Sequence, residues 1–149
     1  MEYDEGKIGR VFVLRFDDGE DFVDLIHSFV KEKEIRTGHI NILGAFLASE
    51  IVTGPKEPVL PPEPNWTSFA DAWEVLGFGT IMWEDDEPRI HIHAGLGKGE
   101  KTLLGCVRKK TDVFLTVEAV ITEVIDIKAE RKFNEQLGLS LLSFKQNEV

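Results

Sequence analysis

Apolar residues recur at helical spacing in only one stretch of this chain. Phe22, Leu25, Ile26, Phe29 and Val30 fall three and four positions apart, which predicts one amphipathic helix running to about residue 35. Asp24, His27, Lys31 and Lys33 take its polar side. The acidic run Asp17-Asp18-Gly19-Glu20-Asp21 precedes it. Asp18 is the expected cap, and the other carboxylates favour the positive end of the helix. Gly38 is the expected stop.

Elsewhere the pattern is that of strands. Val11 to Phe16 is a short apolar block, and His39 to Thr53 is apolar except at Asn41, Ser49 and Glu50. The second block predicts one long or two short buried strands, with Gly44 marking a bulge or a close backbone approach. Between Gly54 and Asn65 stand Pro55, Pro58, Pro61, Pro62 and Pro64, which exclude helix and central strand and predict a surface loop, partly extended. Further strands are expected at Trp73–Trp83, Arg89–Leu96, Lys101–Val107, Val113–Ile127 (long enough to bend) and Leu137–Phe144, with turns at Glu84–Pro88 and Gly97–Glu100. Lys128 to Gln136 is polar and predicts only a turn or a short helical piece. One helix and about seven strands linked by short turns predict an α+β fold with a mainly antiparallel sheet.

The 149 residues are one domain's worth, enough to build a core without staples. No apolar run reaches the roughly 18 residues of a membrane span. The start, Met1-Glu2-Tyr3-Asp4-Glu5, is acidic without an apolar stretch, and no secretory signal is expected there. A lone cysteine cannot close an intrachain disulfide, so a cytoplasmic location is expected. Seventeen basic against twenty-seven acidic residues give a net charge of −10, poor equipment for neutralising phosphates along nucleic acid. The densest basic run, Arg108-Lys109-Lys110, reads as a solvated turn.

The candidate chemistry lies at His91-Ile92-His93 and Cys106. On a strand the two imidazoles share a face, about 7 Å apart along the backbone. With Lys98-Gly99 as the central turn residues, His91 lies opposite Cys106, with Cβ atoms about 5 Å apart. A loop one residue longer or shorter would turn Cys106 to the other face. Two imidazoles and one thiolate suit zinc, with a fourth position left for water, an anion or another side chain. Carboxylate-preferring cations such as Mg²⁺ suit these donors less well. The plainer reading is two polar histidines on a half-exposed strand and a small buried cysteine. His27 belongs to the helix's polar stripe, and His39 opens a strand within possible reach of a shared site.

Trp73-Glu74-Val75-Leu76, Gly79-Thr80, Pro88 to Leu96 and Leu104-Gly105-Cys106-Val107 together resemble the signature of the plant and prokaryote conserved (PPC) domain. Gly19-Glu20-Asp21 and the region Val117 to Leu139 extend the resemblance over roughly residues 10–144. The family's second block reads Gly-Gly-His-Leu, so the resemblance places Cys106 where a third histidine is expected. It implies a mixed fold with a curved, largely antiparallel sheet, a homotrimer and metal binding at His91, His93 and Cys106. Plant members carry AT-hooks, and this chain has none. The family's Gly-Arg-Phe-Glu-Ile-Leu stretch corresponds to Asp71-Ala72-Trp73-Glu74-Val75-Leu76, without its glycine and arginine.

Three functions follow as expectations. The first is a trimeric zinc-binding module that takes a small anionic ligand. The second is a zinc-dependent enzyme with a metal-activated water, for which Glu74 and Glu118 are the candidate acid or base. The third is a DNA-associated regulator, by family analogy alone. The serines sit in no nucleophile elbow, and Gly95-x-Gly97-x-Gly99 leads into a strand turn and not into a helix.

Overall fold

The structure is a computed structural model that describes residues 1–145. Nine elements follow one another: β1 (Lys7–Asp17), α1 (Phe22–Glu32), β2 (Gly38–Pro55), β3 (Pro64–Glu84), β4 (Glu87–Lys98), β5 (Lys101–Val107), β6 (Asp112–Ile125), β7 (Ala129–Asn134) and β8 (Leu139–Phe144). The first six strands form one antiparallel sheet in the order β1-β6-β2-β3-β4-β5, and β7 and β8 form a separate hairpin. Strand β5 also returns to the far end of β2, pairing Ile51 with Val107 and Val52 with Cys106. Strands β2 to β5 therefore curl into a closed end of the sheet.

Gly105 permits that closure. A Cβ there would lie 2.8 Å from both Ile51 Cδ1 and the Val52 carbonyl oxygen. Strand β2 is a single long strand, irregular around Gly44 and Phe46. At Gly44 (φ +141°) a Cβ would meet the Thr116 carbonyl oxygen at 2.3 Å, so the close approach expected there is real.

Alternation along the strands sets the two faces. Ile40, Ile42, Ile81, Ile92, Ala94, Leu96, Ala119 and Ile121 point inward and are buried. Helix α1 covers that inner face with Phe22, Ile26 and Val30, and Phe22 packs between Phe16 and Phe46. The opposite face is bare: Val13, Leu43, Leu76, Phe78 and Leu104 are each more than half exposed.

Several boundaries differ from the sequence expectation, each for a local reason. Asp21, not Asp18, caps α1, accepting from the Val23 and Asp24 amides. Asp18 instead accepts from the Leu115 amide at 2.7 Å, where β6 kinks. The helix stops at Glu32, six residues before Gly38. Its end is a Schellman turn, with the Ile35 amide on the Val30 carbonyl and the Glu34 amide on the Lys31 carbonyl. Glu34 occupies the left-handed position (φ +52°) usually given to glycine. Strand β3 begins at Pro64, nine residues earlier than expected, because Ser68 to Ala70 still pair with Ala48 to Glu50. Lys128 to Gln136 contains β7 in place of a turn or helical piece. Polar residues suffice there because the hairpin is a two-stranded outwork with little to bury.

Candidate metal centre

Strands β4 and β5 carry the three candidate ligands. Their register corrects the expected hairpin: Lys98 pairs with Lys101, so Gly99 and Glu100 are the central turn residues. Gly99 takes the positive φ (+59°) such a tight turn needs. Cys106 therefore lies opposite His93, not His91. The slide is two positions in the pairing, which preserves the faces. All three side chains still project to the outer side, and Ile92 and Val107, which pair with each other, project inward.

The imidazole nitrogens and the sulfur lie within 4.8 Å of one another. The Nε2 atoms of His91 and His93 are 3.0 Å apart, with ring planes at 79°. Cys106 is buried, and both histidines are exposed. Burial, and then the neighbouring His93, Arg131 and Arg108, hold the His91 pKa below its ordinary value. The ring is thus biased to the neutral form that has a lone pair to donate.

These donors fit a tetrahedral ion. Ligand atoms around zinc stand about 3.5 Å from one another, by the usual bond lengths and angles. The separations here bracket that value, so small rotations of the three side chains suffice. The Arg108 Nε–H points at the Cys106 sulfur from 3.3 Å.

The other candidates stand apart. His39 shares the outer face but stacks on Phe78 at 5.7 Å. His27 stays on the helix surface near Glu87, as its place in the polar stripe implied. Glu74 pairs with Gly97, four residues along β4 from His93, or about 13 Å away. Glu118 on β6 faces Leu43 of β2, and β2 and β3 separate it from β4. Neither carboxylate serves the cluster within one chain. Asp71, which stands where the Gly-Arg-Phe-Glu-Ile-Leu stretch has its glycine, has φ +90° and pairs with Lys98.

Sequence reasoning missed the wall around the cluster. A cleft of about 1080 Å³ opens beside His91 and Cys106, and the β7–β8 hairpin forms its far side. Arg131 reaches from β7 to Thr80, the residue paired with His91 on the neighbouring strand, with its Nη2 3.2 Å from the Thr80 hydroxyl. Its Nη1 donates to the Ser140 carbonyl at 3.3 Å. Burial lowers the Arg131 pKa, and the more distant Glu84 opposes that shift. Glu84 itself accepts from the Ser140 hydroxyl and from Arg89, both at 2.7 Å, and these contacts keep it ionised.

The match to known proteins follows this geometry. Residues 3–125 match the model of the Plants and Prokaryotes Conserved (PCC) domain. The chain belongs to this family. Its fold is also that of a metal-containing protein from Archaeoglobus fulgidus, with a TM-score of 0.84 and 28% identity over 98% of this chain and 100% of that one. A PPC protein from Pyrococcus horikoshii superposes with a TM-score of 0.82 at 24% identity, covering 100% of both chains. A Bacteroides thetaiotaomicron protein whose name proposes DNA binding gives 0.76 at 21% identity, over 96% of this chain and 100% of that one. No curated protein matches the chain. The PPC-like antiparallel fold expected from the sequence is the one observed, with eight strands in two sheets. Arg131 lies beyond the residues matched by the family model.

Proposed function

We propose that this PPC-domain protein is a metal-binding module in which His91, His93 and Cys106 hold one zinc ion, and that it acts by binding and not by turnover. One observation carries the reading: two imidazoles and a sulfur from adjacent strands converge within 4.8 Å on one face. The Archaeoglobus relative, named as metal-containing, supports it. The ion would fix β4 against β5, and its fourth position would face the cleft. Elemental analysis of protein purified without added metal tests the reading. About one equivalent of zinc is expected. Less than about a tenth, unchanged in His91→Ala and His93→Ala, would reject it.

The bare outer face supports assembly of the module as a homotrimer. Val13, Val120, Asn41, Phe78 and His93 follow one another across β1, β6, β2, β3 and β4, so exposed apolar residues and the cluster share one row. An apolar face of this kind ordinarily meets another protein surface.

An enzymatic reading draws on the cleft, which would admit a small substrate to a metal-bound water. Its weakness is that Glu84, a carboxylate on that cleft, is tied up by Arg89 and Ser140 and held as a weak base. Zinc-dependent turnover in a panel of esters, phosphoesters and amides would favour it. A DNA-associated role rests on family analogy. The run Arg108-Lys109-Lys110 offers little free charge for it, with Lys109 paired to Glu50 and Lys110 to Asp112. No DNA binding is expected at moderate salt.

A further inference from the structure

We infer that the cleft beside the cluster is a receptor for a small oxyanion, a phosphate or carboxylate group held by Arg131 and Arg108. The inference rests on the metal reading only for the ion's share in holding that anion.

Arg131 is half-buried, and among the described residues no carboxylate stands within ion-pair distance of it. A guanidinium drawn out of water without a counter-charge is costly. Here it is held by two neutral acceptors, the Thr80 hydroxyl and the Ser140 carbonyl. Those bonds use two of its five N–H donors and fix the plane of the fork, leaving three for a ligand. Arg108 lies on the same cleft, and among the described residues its one hydrogen bond is to the Cys106 sulfur. Of the acids on the cleft, Glu84 is engaged by Arg89 and Ser140 and Glu130 by Lys145, while Asp85 is exposed and stands in no ion pair with either arginine among the described residues. In a chain of net charge −10, two guanidiniums free of carboxylates on one wall are a local exception. Both also raise the positive potential felt by His91, so they share its surroundings.

Guanidinium forks recognise planar carboxylates and phosphates through paired, charge-assisted hydrogen bonds. The cleft volume of about 1080 Å³ is that of a small-molecule site. The overall acidity repels an extended polyanion, so the occupant is a small molecule and not a nucleic-acid backbone.

Calorimetric titration of the full chain, in metal-loaded and chelator-treated forms at fixed ionic strength, tests this with inorganic phosphate and with acetate. Saturable binding of at least one anion is expected. It should weaken by about tenfold or more in Arg131→Gln and in Arg108→Gln, and less in Arg131→Lys, which keeps the charge. Arg108 is exposed, so its variant reads the site even if the Arg131 variants fold poorly. Tighter binding of phosphate than acetate identifies a phosphate ligand, and the reverse a carboxylate. The inference is overturned if neither anion binds the wild type at about 10 mM, a very weak affinity. It is equally overturned if folded arginine variants bind as the wild type does, or if duplex DNA binds where both anions fail. Zinc content measured on the same samples separates the two ideas. Arginine-dependent anion binding without zinc leaves this site standing and removes the metal reading. Stoichiometric zinc with arginine-independent binding does the opposite.

Discussion

At Cys106 a single atom decides how the cluster behaves. Replacing the sulfur with a hydroxyl in Cys106→Ser removes the soft donor at little cost in volume. Zinc content should fall well below one equivalent while the melting temperature of the metal-free protein changes little. Cys106→His installs the residue that the PPC family carries at this position, and it should retain zinc if the buried site beside Val52 accommodates the ring. Elemental analysis and thermal melts read both variants.

A second residue-scale test concerns acid stability. Glu123 is 9% exposed, and its carboxylate accepts from Arg10 Nε at 2.8 Å, from Arg10 Nη2 at 2.7 Å and from the Arg10 amide at 3.0 Å. The Arg10 hydrogen bonds hold the Glu123 pKa below its ordinary value, against the opposing effect of burial. A carboxyl depressed in the folded state contributes stability above its unfolded pKa of about 4.3 and loses it as pH falls through the folded value. Arg10→Gln removes the guanidinium, the largest of the lowering influences, and leaves burial opposed by the position-10 backbone amide. Acid unfolding, followed by circular dichroism, should therefore begin at a higher pH in the variant.

Elements show where local chemistry and tertiary structure part company. The end of α1 is legible in principle, since Lys33 and Glu34 follow the last apolar residue of the stripe, but a glutamate at the left-handed position hides the stop. Glu34→Gly should stabilise the protein by about 0.5–1 kcal/mol in chemical denaturation, because glycine takes that conformation without the Cβ clash. Gly105→Val makes the opposite test. Its side chain would strike Ile51 and the Val52 carbonyl, force β5 off β2 and lower zinc retention with the melting temperature.

The hairpin that carries the candidate ligands was legible in all but register. Alternation fixed the faces of His91 and His93, and the odd pairing sum kept Cys106 with them. Which two residues make the turn depended on the positive φ of Gly99, which Lys98-Gly99 and Gly99-Glu100 satisfy equally well on paper. Arg131 was illegible for a different reason. Its importance comes from a polar hairpin folding back over β3, and nothing in the periodicity of Ala129 to Asn134 announces that contact.

Over the whole molecule, the two faces of the large sheet divide the labour. The inner face, under α1, supplies the core, and substitutions such as Ile40→Ala should cost about 2–5 kcal/mol. The outer face contributes little to the monomer's own stability. Leu76 is 71% exposed, so Leu76→Asp should leave the fold intact and lower the mass measured by sedimentation if copies meet there. An unchanged mass would exclude this face from any assembly.

The separation of β7–β8 from the six-stranded sheet bears on how a ligand enters. Amides in the middle of β2, bonded to β3 on one side and β6 on the other, exchange with deuterium only when the whole chain unfolds. Those of the hairpin need only two strands to part from each other. Hydrogen–deuterium exchange is therefore expected to be faster in β7 and β8 than in β2, and the recess beside Arg131 to open while the strands that hold His91 and Cys106 stay paired.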